Sequence, residues 1–268
     1  MAEYELGVIG GGNMAEAILR GVAAGGVVAM DRIVVSEPLE QRRRHLANEP
    51  GVACVPDNTV PASCSRILLA VKPQMMGQVL DEIAPAVGQQ ATVVSIAAGV
   101  TTATLEAGLR GKGRIVRVMP NTPMLVGAGV SAVAAGPRAG DEEVRWTCEL
   151  FSASGKALVV AEPMIDAVTA VSGSGPAYFC YLVEAMAAAG VAEGLSPDVA
   201  LELARQTCLG TGKLMIETGV EPDELRRRVT SPGGTTQRAV EALEAAGVKD
   251  RLVEAVRAAA ERSRELGA

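Results

Sequence analysis

The stretch GVIGGGNMAEA, residues 7–17, constrains the fold of this 268-residue chain more than any other. It sets Gly10, Gly12 and Ala15 in a Gly-x-Gly-x-x-Ala spacing, directly after the apolar run LGVI and opening a helical stretch. In that context each small residue has a physical job. The first glycine makes the tight turn, the second lets a pyrophosphate approach the backbone, and the third position lets helix and strand pack closely. The helix start adds free N–H groups and a partial positive charge. Without a ligand the same residues make an ordinary glycine-rich turn.

The apolar runs LGVI (6–9), RIVVS (32–36), RILLAV (66–71), ATVVSIAAG (91–99), RIVRVMP (114–120), GVSAVAAG (129–136) and ALVVA (157–161) read as buried strands. NMAEAILRGVAAGG and LEQRRRHLANE between them are helical. Alternation of this kind predicts a parallel sheet covered on both faces. After residue 161 the strands stop. Helical periods follow, broken at GSGP, GLSP, GVEP, TSPGG and AAGV, whose Gly, Ser and Pro are the chemistry of helix ends. The expectation is an α/β fold: a Rossmann-like dinucleotide-binding domain over 1–161, then an all-α domain over 162–268.

Composition narrows the partners. Hydrophobic residues make up 49% of the chain but aromatics only 2%, so the core must be aliphatic, and Ala-rich helices favour close subunit contact. A net charge of −6 without a basic stripe argues against nucleic acid. Cys54, Cys64, Cys148, Cys180 and Cys208 are odd in number and lack a Cys-x-x-Cys pair, which predicts reduced, buried thiols in a cytoplasmic protein and no zinc site. No secretory leader and no apolar run of membrane-spanning length is read.

Ser36 and Glu37 end the second strand. An acid there accepts hydrogen bonds from the adenosine ribose and repels a 2′-phosphate, which favours NAD over NADP. Arg42, Arg43 and Arg44 lie a turn further on; they are either a solvated face or a phosphate contact. Ala70, Val71, Lys72 and Pro73 follow another strand end, where open sheets bind ligands. Lys72 either reaches a phosphate or the nicotinamide region, or is a solvated loop lysine.

His45, the single histidine, falls in a basic helix away from the strand ends. Without a histidine–carboxylate pair at the chemistry, reduction of a ketone lacks its proton donor. An imine suits better, since a protonated C=N is already electrophilic and needs mainly positioning. The stretch VTSPGGTTQRAVEALE, residues 229–244, reads as a helix with two glycines in its first turn, a cost of roughly 2 kcal/mol relative to alanines. Either Ser231-Pro232 is a plain helix cap, or something must come close to this backbone.

These segments, with DAVTAVSGSGPAYF (166–179), AVKP and SIAAGV (95–100), closely resemble pyrroline-5-carboxylate reductase along essentially the whole chain. The resemblance implies reduction of 1-pyrroline-5-carboxylate to L-proline with NADPH or NADH. It places the substrate at Ser231, Gly234, Thr235 and Thr236. The Ser231 side chain and the amides of Thr235 and Thr236 would hold the carboxylate, and the Thr236 hydroxyl would meet the ring nitrogen. It puts Glu162 near the substrate. It maps cofactor contacts onto Gly10, Gly12, Asn13, Met14, Asn58, Ala70, Lys72, Pro73, Ala97 and Ala98. It further implies an intertwined homodimer, often a pentamer of dimers. Family members often carry a small polar residue or a 2′-phosphate ligand where this chain has Glu37.

Three rival readings fit the sequence less well. A β-hydroxyacid dehydrogenase would need a lysine in the helix after Gly173-Ser174-Gly175, and PAYFCYLVEAM holds none. A non-catalytic dinucleotide-binding regulator would not need Ser231 or Thr236. A metal-dependent reductoisomerase would need clustered carboxylates in the helical half, and none is recognised there.

Overall fold

The computed structural model describes residues 4–267. Its strands are β1 (Leu6–Ile9), β2 (Ile33–Ser36), β3 (Ala53–Val55), β4 (Arg66–Leu69), β5 (Thr92–Ser95), β6 (Arg114–Met119), β7 (Gly129–Ala135) and β8 (Gly155–Val159). The helices among and after them are α1 (Asn13–Gly25), α2 (Glu40–Asn48), α3 (Thr59–Ala62), α4 (Met76–Ile83), α5 (Thr102–Gly108), α6 (Asp141–Ser152) and α7 (Ile165–Val168). The chain continues through α8 (Gly175–Ala192), α9 (Pro197–Thr218), α10 (Pro222–Arg228), α11 (Thr235–Ala245) and α12 (Val248–Gly267).

One eight-stranded sheet has the order β3-β2-β1-β4-β5-β6-β7-β8. The chain runs outward from β1 through β2 to β3, then returns to add β4 on the other side of β1. The crevice between the ends of β1 and β4 is therefore the point where strand order reverses, which is where open α/β sheets bind ligands. The central strands are apolar on both faces, as a doubly covered sheet requires. Leu68, Val94 and Val116 pack on one face with Ile18, Leu19 and Phe151. Their chain neighbours Ile67, Val93 and Ile115 pack on the other with Leu80, Ile83 and Leu105.

Two features depart from the expected parallel sheet. β7 runs antiparallel to β6, because only residues 120–128 join them, too few for a crossover. β3 had no place among the expected strands; it is a three-residue strand with half-buried side chains, so it carries no apolar run to read.

The described residues form two compact units. One comprises residues 4–173 together with 259–267; the other comprises 174–258. The contact division falls after Gly173, since α7 packs on β7 and a π-helical turn over Thr169–Gly173 packs on α7. Asn121 ties that turn down, its amide donating to the Ser172 carbonyl at 3.2 Å. The end of α12 belongs with them too, with Ser263 Oγ donating to Asp166 at 2.6 Å.

In the second unit α8 and α9 lie against each other, closely enough that a Cβ on Gly190 would sit 3.1 Å from that of Ala200. Otherwise this unit leaves large apolar side chains bare. Tyr181 is 76% and Ile216 84% exposed, with Phe179, Leu182, Leu203 and Leu209 also exposed. Apolar residues surround α8 on all sides, the pattern of a helix meant to be covered. The helical run Glu162–Ala192 has the length and mean hydropathy of a membrane span, though Glu162, Asp166 and Glu184 interrupt its apolar sequence. The five cysteines are free, but only Cys64 is buried and Cys180 on α8 is exposed, so the expectation of buried thiols holds for one of five.

Candidate functional site

At the β1 end the backbone turns sharply. Gly10 has φ +96°, and a Cβ there would lie 2.9 Å from the Ala70 carbonyl oxygen, so only glycine fits without strain. Its N–H donates to the Ser36 carbonyl at 3.0 Å. Gly12 caps α1 in an extended conformation with no side-chain cap bond, and nothing lies within 4 Å of where its Cβ would be. Together with exposed Asn13, this leaves the first amides of α1 facing open space, the arrangement that takes a phosphate. Met14 is half-buried against the core and Ala15 is fully buried, as the third small position demands. These residues fit a dinucleotide.

Glu37 is buried at the end of β2. Its Oε2 accepts from Gly11 N–H at 3.1 Å and its Oε1 from Leu39 N–H at 3.0 Å. The glycine loop and the acid are thus one unit, and each carboxylate oxygen keeps a lone pair for a further donor. Ser36 is fully buried and its Oγ has no hydrogen-bond partner, so it contributes through its main-chain carbonyl rather than its hydroxyl. None of the three arginines is a bare solvated cation. Arg42 pairs with Glu16 at 2.6 Å, Arg43 donates to the carbonyls of Glu37 and Pro38, and Arg44 pairs with Glu40 at 2.5 Å.

The end of β4 supplies the opposite wall of the crevice. Ala70 N–H donates to Ile9 O at 2.8 Å. Ala70 and Val71 are half-buried, while Lys72 and Pro73 are exposed at the start of a 3-10 turn. Asn58 donates to Glu82 at 2.9 Å. Ala97 is buried, its N–H turned to Ser95 Oγ at 3.3 Å, and Ala98 is half-buried beside it.

His45 does have a carboxylate partner, Glu16, at 3.1 Å. The pair braces α2 against α1, on the β2 side of β1, and so lies outside the β4 and β5 ends. Burial tends to raise the Glu16 pKa, but hydrogen bonds from His45, Arg20 and Arg42 outweigh it and hold the carboxyl at about 2.

Glu162 is held rather than free. Thr102 donates to it twice, through N–H at 2.7 Å and Oγ1 at 2.5 Å, and the buried Arg117 lies 3.4 Å away. The carboxylate sits on the start of α5 and anchors the loop that carries Ala97 and Ala98. Thr102 and Arg117 escaped the sequence reading because their partner is 60 and 45 residues distant.

In the helical unit, residues 229–234 form a loop and α11 begins at Thr235. The two glycines therefore precede the helix and do not weaken its first turn. Gly233 has φ +70°, which needs glycine, and Gly234 is the N-cap with no side-chain cap bond. Ser231 is not the cap; its carbonyl accepts Gly234 N–H at 3.0 Å. Gln237 reaches back to Gly233 N–H at 2.7 Å. No side chain caps the start of α11 at Thr235 and Thr236. A Cβ on Gly234 would stand 2.5 Å from Ser231 Oγ, so glycine keeps that hydroxyl in place.

Comparison with known proteins matches residues 162–266 to the pyrroline-5-carboxylate reductase dimerisation family. Residues 5–99 match the family described as NADP oxidoreductase, coenzyme F420-dependent. The pyrroline-5-carboxylate reductase of Synechocystis is 45% identical over 264 residues, 98% of each chain. The solved structure of a pyrroline-5-carboxylate reductase from Coxiella burnetii superposes with TM-score 0.93 at 34% identity, over 99% of each chain. That of pyrroline carboxylate reductase from Plasmodium falciparum, with NADP bound, gives 0.88 at 29% over the whole of both chains. The chain belongs to the pyrroline-5-carboxylate reductase family, whose members reduce 1-pyrroline-5-carboxylate to L-proline with a nicotinamide dinucleotide.

Proposed function

We propose that this chain performs the family's reaction with the labour divided between its two units. The first unit takes the dinucleotide across Gly10, Gly12, Asn13 and Met14, with Ala70, Val71, Lys72, Pro73, Ala97 and Ala98 toward the nicotinamide and Ser36, Glu37 and Asn58 toward the adenosine. The bound cofactor supplies the hydride. The second unit takes the substrate carboxylate on the amides of Thr235 and Thr236 and on Ser231 Oγ, with Gly234 allowing the approach. An anion at a helix start is stabilised by about 0.3–1 kcal/mol when exposed and up to about 2 when partly buried. The Thr236 hydroxyl meets the ring nitrogen and is the catalytic group. Glu162, fixed by Thr102, acts toward the substrate from that set position. The single observation that carries this reading is the α11 start: a helix N-terminus with no side-chain cap, behind a left-handed glycine and next to the Ser231 hydroxyl.

Glu37 favours NADH, because a 2′-phosphate would have to settle beside its carboxylate. The bare apolar surface of α8 and α9 is read as the face of a homodimer, and assembly of dimers into a pentamer is expected from the resemblance. Free cysteines fit a reducing, cytoplasmic setting.

The test is the loss of reduced-nicotinamide absorbance with racemic 1-pyrroline-5-carboxylate, run in parallel with NADH and NADPH. Proline formation with the higher rate on NADH supports the whole reading. Preference for NADPH removes the role given to Glu37, and no turnover with either removes the proposal.

A further inference from the structure

The Gly11 peptide is gripped at both ends. Its N–H donates to Glu37, and its carbonyl accepts from Arg42 Nε at 2.5 Å. The far side of the Arg42 guanidinium meets Glu16, which is 13% exposed and carries its charge at any pH above about 2. Arg43, on the next position of α2, puts its guanidinium on two neutral carbonyls, which fix it but leave its charge in place. Around the end of β2 and the glycine loop the charges are therefore Glu37 and Glu16 against Arg42 and Arg43, a sum of zero. Glu16 also takes Arg20 at 2.8 Å, whose other nitrogen meets Glu49, and the His45 ring at 3.1 Å; Arg20 and Glu49 add one charge of each sign and leave the sum unchanged, and Arg44 pairs with Glu40.

Glu37 is the acid a ribose would meet directly. Glu16 lies on α1 and is joined to this end of the site through Arg42, whose Nε holds the Gly11 carbonyl. The geometry points to Glu16 as a second, remote determinant of cofactor choice: by neutralising Arg42 it keeps the adenosine end from presenting net positive charge to a 2′-phosphate. This rests on the dinucleotide site proposed above. Replacing Glu16 by glutamine keeps the side-chain volume and a hydrogen-bond acceptor for Arg42 while leaving the guanidinium uncompensated. The extra charge acts on every phosphate, but most on the ligand that brings an additional dianion.

The experiment measures kcat/KM for NADPH and for NADH in the wild type, Glu16→Gln, Glu37→Ser and Glu16→Gln/Arg42→Gln. In Glu16→Gln the NADPH/NADH ratio is expected to rise roughly fivefold, the scale of one partly exposed charge interaction, and to rise less at high salt. The double variant is expected to return to the wild-type ratio. Adenosine 2′,5′-bisphosphate, as a competitive inhibitor, should tighten by a similar factor in Glu16→Gln while 5′-AMP does not. An unchanged ratio overturns the inference, as does a rise that persists in the double variant, and as does an equal loss with both cofactors, which would make Glu16 a brace alone. The wild-type ratio and Glu37→Ser test the reading of Glu37 separately, since the inference about Glu16 concerns the change on substitution and not the starting preference.

Discussion

Glu162 is where structure and expectation pull hardest on each other, and its removal separates them. In Glu162→Ala the Arg117 guanidinium, 6% exposed, loses its acid partner, and Thr102 N–H loses its acceptor at the first turn of α5. An ion left alone in the interior costs about 3–5 kcal/mol. The separation of 3.4 Å and the 26% exposure of Glu162 put this case at the lower end. The lost cap adds about 1 kcal/mol, without full additivity because the groups share one carboxylate. The expected loss is about 3 kcal/mol for alanine and about half that for glutamine, which keeps an acceptor for Thr102. Urea unfolding at fixed protomer concentration reads this directly, since subunit association would otherwise shift the midpoint. With a slope of about 3 kcal/mol per molar, alanine moves the midpoint by about 1 M. A loss under about 1 kcal/mol would refute the clamp. Stability unchanged with a raised KM for the imine would assign Glu162 to the substrate alone.

Gly10→Ala puts a Cβ at φ +96° against the Ala70 carbonyl, so dinucleotide affinity by titration calorimetry is expected to fall at least about tenfold, from a strain of about 1–2 kcal/mol plus displacement of Ala70. Glu16, whose carboxyl drops from 4.5 to about 2 in the folded chain, contributes stability that is complete above pH about 4.5 and disappears as pH falls toward 2. In acid-unfolding curves Glu16→Gln should be flatter than wild type across that window, and identical slopes would show that the network does not hold the charge. Charge placed on the bare helices, as in Ile216→Glu with Leu182→Glu, should shift sedimentation toward the monomer; an unchanged mass would move the interface elsewhere.

What could be read from the chain was what is local. The glycine loop, the apolar strands and the helix breaks all follow from neighbouring residues, and the breaks reappear where Gly219, Gly233 and Gly247 take left-handed backbone. The direction of β7 is set by the short connection over 120–128, which allows only an antiparallel return beside β6. The charge web of Glu16, Arg42 and Glu37 around the Gly11 peptide joins residues 26 to 31 positions apart, and the Glu162 clamp joins residues 45 to 60 apart, so no spacing rule reaches them. The placement of Gly233 and Gly234 before α11 turned on where the helix starts, which sequence resolves least well.

Thr236→Ala is the most direct test of the central claim that the start of α11 holds the reacting imine. Turnover of 1-pyrroline-5-carboxylate and the dissociation constant of NADH are measured on the same preparation. The account predicts a kcat lowered by at least about tenfold, the scale of one lost hydrogen bond to a charged group, with cofactor affinity unchanged. An unaltered kcat would contradict it.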